Sequence, residues 1–147
     1  MIYTPLTKLA MQICFDAHKD ATDKGGIAYV FHPWHVAEQM KDETTTVIAL
    51  LHDVVEDTPV TLDDLSEYGF PQEIIDAIDI MTHKPEQTYT QYIDRIATNP
   101  LAITVKIADL LHNSDVSRLD SPDELPDYLK SRYKTALDKL QALVSND

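Results

Sequence analysis

The sequence has little glycine, three residues in 147, and only one cysteine. A lone thiol excludes an internal disulfide and a cysteine-rich metal site, so Cys14, set in an apolar helical pattern, reads as a small core residue. No long hydrophobic run is present. The longest, Val47 to Leu51, is far short of the ~20 residues a membrane span requires. The opening MIYTPLTKLA lacks the basic segment and apolar stretch of a secretory signal, which points to the cytoplasm. Basic residues are also in deficit, 12 against 25 acidic, for a net charge of −13. Such a field repels nucleic acid and anionic membranes, and no basic stripe offsets it. It would repel a phosphorylated small molecule too, unless the site holds a cation. The length and a normal apolar fraction fit one domain over residues 1–147, with the oligomeric state left open and a homo-oligomer admitted.

What is present is helical periodicity. Thr4-Pro5 has the form of an N-cap followed by proline at the first helical position, and Leu6, Leu9, Ala10, Ile13, Cys14 and Ala17 mark one buried face. That helix should end before the glycine pair Gly25-Gly26. A second begins at His32-Pro33 and runs to about Met40, and a third, strongly apolar, spans roughly Thr45 to Asp57 and stops before Pro59. Thr61 with Asp64 resembles a capping box opening a short helix that ends near Gly69. Pro71 starts the next, with Ile74, Ile75, Ile78 and Met81 spaced for burial. A polar loop, Thr82 to Thr88, precedes a helix from Tyr89 to Ala97. Asn99-Pro100 opens a long helix reaching at least Asn113 and extending toward Leu119. After a loop from Ser121 to Pro126, a last helix continues to about Val144. About eight helices with short connections predict an all-α bundle.

Three groups of polar residues do not suit that apolar framework. The third helix carries His52, Asp53, Glu56 and Asp57. At i, i+4 spacing these form one adjoining patch in which three of the four are acids. Buried carboxylates without partners cost several kcal/mol each, roughly, and a divalent cation would relieve both repulsion and desolvation. A solvated helix face is the blander explanation. Lys106, Asp109 and Asn113 make a polar stripe at i, i+3 and i+7, which by itself suits a polar face as well as a site. His32, at a helix start with His35 one turn on, suits a cap or surface position as well as a ligand. Taken together, the groups supply imidazole and carboxylate ligands from three helices, a mixture suited to manganese, iron, zinc or magnesium with open positions for water or substrate.

The strings GGIAYVFHP, ALLHDVVEDT and KIADLLHN resemble the HD-domain hydrolases of the Rel/Spo alarmone system, in order from about Gln12 to about Leu119. The likeness is strongest to the stand-alone small alarmone hydrolases. HD alone is a weak motif. HD followed by ED, with HP upstream and ADxxHN downstream, is a strong one. The resemblance implies an HD-domain helical bundle that removes the 3′-pyrophosphate of guanosine tetra- and pentaphosphate, releasing pyrophosphate and GDP or GTP. It implies a divalent metal, usually manganese (Mn2+), held by His32, His52, Asp53 and Asp109. Glu56 and Asp57 would orient and deprotonate the attacking water, with Lys24 and Asn113 contacting the nucleotide. His112 would pack or orient a neighbour, and His35 would support a ligand or lie at the surface. Lys84, Lys106, Lys130, Arg132 and Lys134 are further candidates for phosphate contacts. Two departures fall in the nucleotide-recognition loop. Asp23-Lys24 stands where the family commonly has Arg-Lys, and Ala28 replaces the proline before the loop tyrosine. The alternatives are an HD phosphohydrolase acting on another nucleotide and a non-catalytic nucleotide-sensing module. The chain is too short for the synthetase domain of the bifunctional members.

Overall fold

A computed structural model describes residues 1–145. Nine α-helices occur among them: α1 (Pro5–His18), α2 (Phe31–Glu38), α3 (Glu43–Leu51), α4 (Val54–Asp57), α5 (Leu62–Glu67), α6 (Gln72–Met81), α7 (Tyr89–Ile96), α8 (Pro100–Asn113) and α9 (Asp127–Ser145). The only strand-like pairing among the described residues is an isolated bridge between Thr22 and Ala28. The all-α expectation holds.

Local chemistry sets most helix starts. Thr4 Oγ1 accepts from Thr7 N–H at 3.1 Å while Thr7 Oγ1 accepts from Thr4 N–H at 2.7 Å, a reciprocal cap closed by Pro5. Thr61 and Asp64 exchange the same pair of bonds, as the sequence predicts, and Gly69 ends that segment at φ +96°. Asn99 Oδ1 caps α8 through Ala102 N–H. A capping box that the sequence reading passed over, Thr88 with Gln91, starts α7.

The core is organised around α3, in which every residue from Thr45 to Leu51 is buried. It packs on α1, α2, α6 and α8, and α9 covers α8 with Ala136 and Leu140 buried. Ile74, Ile75, Ile78 and Met81 are buried along α6, as their spacing predicts. Cys14 lies in the core, where burial, with Asp53 nearby, pushes its thiol up to about 12 and leaves it unreactive.

One expected helix is divided, and another ends at the nearer of its two expected bounds. The helix from Thr45 to Asp57 is broken at His52-Asp53. The His52 ring bonds the Ala49 carbonyl at 2.6 Å, and Asp53, at φ −100° and ψ −6°, starts α4 in a new direction. The long helix stops at Asn113 and does not reach Leu119; a 3-10 turn, Val116–Arg118, follows it. No helix among the described residues is long and apolar enough to cross a membrane.

Candidate metal centre and adjoining cavities

The break in the third helix aims its side chains. His52 sits at the C-terminus of α3, Asp53 at the turn into α4, His32 in the first turn of α2 and Asp109 in the last turn of α8. One ligand atom from each lies within 4.8 Å of all the others. His32 Nε2 is 2.7 Å from Asp109 Oδ1, and His52 Nε2 is 3.3 Å from the same oxygen and 3.1 Å from Asp53 Oδ2. Both imidazoles thus present Nε2 to one point.

Their other nitrogens are engaged. His52 Nδ1 donates to the Ala49 carbonyl, which fixes the tautomer that offers Nε2 as a ligand. His32 Nδ1 pairs with His112 Nδ1 at 2.6 Å. Burial, with His32 and His35 beside it, pushes His112 down to about 4. A neutral His112 can accept the His32 Nδ1–H and leave Nε2 free for the centre. His35 is exposed and stacks on His112 with centroids 4.3 Å apart. The expectations for His112 and His35 are therefore met by a stacked row of three rings.

The charges around this point are strongly coupled. Burial pulls His52 down, but the Asp53 carboxylate and hydrogen bonds to Asp109 and Asp53 prevail and hold its pKa well above the usual value. Burial pushes Asp109 up, yet Lys106 and the bonds to His32 and His52 keep it well below the carboxylate range. Asp53 is lowered to about 2, its burial outweighed by His52. Tyr29, from the loop before α2, donates its hydroxyl to Asp53 Oδ2. Two imidazole Nε2 atoms and two carboxylates at this spacing fit a divalent cation, which would take the place of the His52 proton, and the nitrogen and oxygen donor set suits a catalytic site with open positions.

Asp53 also belongs to a second acidic group, with Glu56 and Asp57 within 4.8 Å. The adjoining patch expected from the sequence therefore forms, although across a turn rather than along one helix. Glu56 Oε1 accepts from the His83 backbone N–H at 2.6 Å. Burial, then Asp53 and Glu56, raises Asp57 to about 6. His32, Asp53 and Asp109 of the first group and all three acids of the second line a cavity of about 260 Å³, whose lining also includes Tyr89, Tyr92, Arg132 and Tyr133, while His52 stays buried behind it.

The remaining residues divide. Asn113 lines the cavity and donates to Asp109 at 3.3 Å. Lys106 is nearly buried and held by Asp109 at 2.7 Å, so its charge serves that carboxylate. Lys84 is likewise committed, to Asp79 and to two backbone carbonyls. Lys130 and Lys134 are not among the lining residues and pair with Asp127 and Asp138. Arg132 does line the cavity, over the Tyr89 ring at 4.8 Å. Lys24 is exposed and lines a neighbouring cavity instead. Tyr29 entered the sequence reading only as the loop tyrosine, and Tyr92 and Tyr133 escaped it, because an aromatic residue in a helix reads as core until its neighbours are known.

The fold and site define a class: an all-helical protein with a His/Asp centre built for a divalent cation. The chain matches the HD domain over residues 18–114, more than half its length, and belongs to that family. It is 33% identical over 132 residues to a probable GTP pyrophosphokinase of Mycobacterium leprae, an alignment covering 81% of this chain and 17% of the relative. It is 31% identical over 119 residues to the bifunctional (p)ppGpp synthase/hydrolase SpoT of Escherichia coli K12, covering 71% and 17%. The chain thus spans less than a fifth of the length of these relatives. A solved structure of a metazoan ortholog of SpoT, described as hydrolysing ppGpp, matches with a TM-score of 0.78 at 21% identity, over 97% of this chain and 87% of that one, and shares the fold.

Proposed function

We propose that the chain is a single HD hydrolase domain that removes the 3′-pyrophosphate of guanosine tetra- and pentaphosphate, with manganese as its cation. The observation that carries this reading is one cavity lined by His32, Asp53 and Asp109 of the His/Asp cluster together with the carboxylates of Glu56 and Asp57. Similarity to the (p)ppGpp synthase/hydrolase SpoT supports the substrate.

When bound, the cation supplies Lewis acidity and charge neutralisation to a phosphoryl group. The protein supplies the rest. Glu56, fixed by the His83 N–H, takes the proton of a water placed between it and Asp57. The water oxygen bonds to the phosphorus attached to the 3′ oxygen, and that P–O bond breaks. The 3′ oxygen leaves as a hydroxyl with a proton from solvent, to which Glu56 returns the one it took. Pyrophosphate and GDP or GTP leave. Arg132, which also lines this cavity, meets phosphate charge that the net acidic surface would otherwise repel. Asn113, between Asp109 and the neighbouring cavity, contacts the nucleotide.

Product analysis tests the proposal. Manganese-loaded protein should release pyrophosphate from guanosine tetraphosphate and stop doing so with chelator or with Glu56→Ala. Turnover of deoxynucleotides with no action on the tetraphosphate would reject it.

A further inference from the structure

The second cavity, of about 250 Å³, shares Tyr29, His32, Asn113 and Tyr133 with the first. A ligand whose phosphate lies at the metal centre can therefore extend into it without crossing solvent. Its remaining wall combines Asp23 and Lys24 with Arg118, Leu119 and Leu125.

Asp23 and Arg118 are 95 residues apart in sequence and form an ion pair at 3.3 Å across this wall. The Asp23 carboxylate makes three bonds to the protein. Its Oδ1 accepts from Gly25 N–H at 2.8 Å and Ile27 N–H at 3.0 Å, and its Oδ2 takes Arg118 Nη1. Arg118 Nε donates to the His112 carbonyl at 3.0 Å. The guanidinium is thus fixed at two atoms, and Nη2 is left for a ligand. The loop also packs closely on this segment, since a Cβ at Gly25 would lie 2.7 Å from the Arg118 carbonyl oxygen. The result is a planar, donor-only group held in a wall that also carries leucine side chains and the Tyr133 ring.

We propose that Arg118, clamped by Asp23 and the His112 carbonyl, is the specificity-determining residue that reads the nucleotide base and selects a 6-oxopurine. A guanidinium can only donate, and the O6/N7 edge of a 6-oxopurine only accepts. A 6-aminopurine would set its own N–H donors against those of Arg118. The Asp23 carboxylate, bonded to Gly25, Ile27 and Arg118, leaves the accepting O6/N7 edge to the guanidinium. This inference rests on the nucleotide reading above, but not on the hydrolytic step.

The test is binding of GDP, IDP and ADP to the manganese-loaded protein by calorimetry, beside hydrolysis of guanosine tetraphosphate. The unmodified chain should bind GDP and IDP about 10-fold or more tighter than ADP, the scale of one good base-edge contact. Arg118→Ala should bring the three within about 2-fold of one another, raise KM about 10-fold and leave kcat within about 2-fold. Arg118→Lys keeps the charge without the planar fork and should also lose the preference. Asp23→Asn keeps an acceptor for Gly25 and Ile27, removes the ion pair and should give an intermediate ratio. These last two variants decide the matter should Arg118→Ala fail to fold. A guanine preference that survives all three changes, or an unmodified protein without one, overturns the proposal. IDP binding as weakly as ADP overturns the assignment of the edge. A preference lost with Arg118, in a protein that does not hydrolyse the tetraphosphate, would sink the hydrolase reading and leave the base reading standing.

Discussion

Replacing Lys106 by methionine tests whether the centre is balanced electrostatically before any metal arrives. Lys106 Nζ lies 2.7 Å from Asp109 Oδ2, and the two residues are 9% and 3% exposed. Breaking a buried pair by removing one partner costs about 3–5 kcal/mol, because the other charge stays behind. Asp109 keeps its bonds to His32, His52 and Asn113, which places the expected loss at the lower end, about 3 kcal/mol. For a domain of this size that is a fall in Tm of roughly 6–12 °C in chelator. Added metal should then stabilise the variant more than the parent. Ligand at a hundred times Kd contributes about 2.7 kcal/mol, and without the neighbouring ammonium the variant's Kd should be lower. Denaturant melts of both proteins, with chelator and with manganese, measure all four quantities. A loss below about 1 kcal/mol in chelator, the value of an exposed pair, would refute the reasoning.

Glu56→Gln and Asp57→Asn should each lower kcat by about 10²–10⁴-fold, the usual weight of general acid–base catalysis, while bound manganese per chain stays unchanged. Loss of metal in either variant would make it a ligand instead. Asp57 should also set a pH dependence in the chelated protein. Its pKa is raised in the fold, so its stabilising effect is complete below the ordinary carboxylate range and is lost as pH rises through about 6. The Asp57→Asn variant should therefore match the parent in stability near pH 4 and exceed it at pH 7.5; equal melts at both values would contradict this. His52 is held protonated in the absence of metal, so manganese uptake should release protons and tighten as pH rises. Calorimetry in buffers of different ionisation enthalpy would show it, and uptake at pH 6.5 without proton release would count against the assignment. Gly25→Ala should raise KM for nucleotide more than it lowers kcat, since the added methyl displaces the Arg118 segment.

Much of this was legible in the sequence because helix starts are written in short-range chemistry. Thr4-Pro5, Thr61 with Asp64 and Asn99-Pro100 each cap the helix they announce. The four residues that gather at one point were also legible, from the apolar strings around them. The break at His52-Asp53 was not. No glycine or proline marks it, and it is made by a side chain closing back on the Ala49 carbonyl while packing positions Asp53. The end of α8 fell at Asn113, the nearer of the two bounds the sequence allows, because Ser114, Asp115 and Val116 carry no strong stop signal to fix it. The Asp23–Arg118 pair joins two loops, and no local pattern connects residues so far apart. Which lysines face the site was not legible either: Lys84, Lys106, Lys130 and Lys134 are each held by a carboxylate, a pairing that their positions in sequence do not announce.

The lysine beneath Asp109 also bears on the order of events in the life of the chain. A resident ammonium ion lets three helices converge on an acidic point with no visitor from solution. Synthesis and metal supply are thereby uncoupled: the polypeptide can stand finished and wait, and its working fraction follows the free cation rather than the number of copies made.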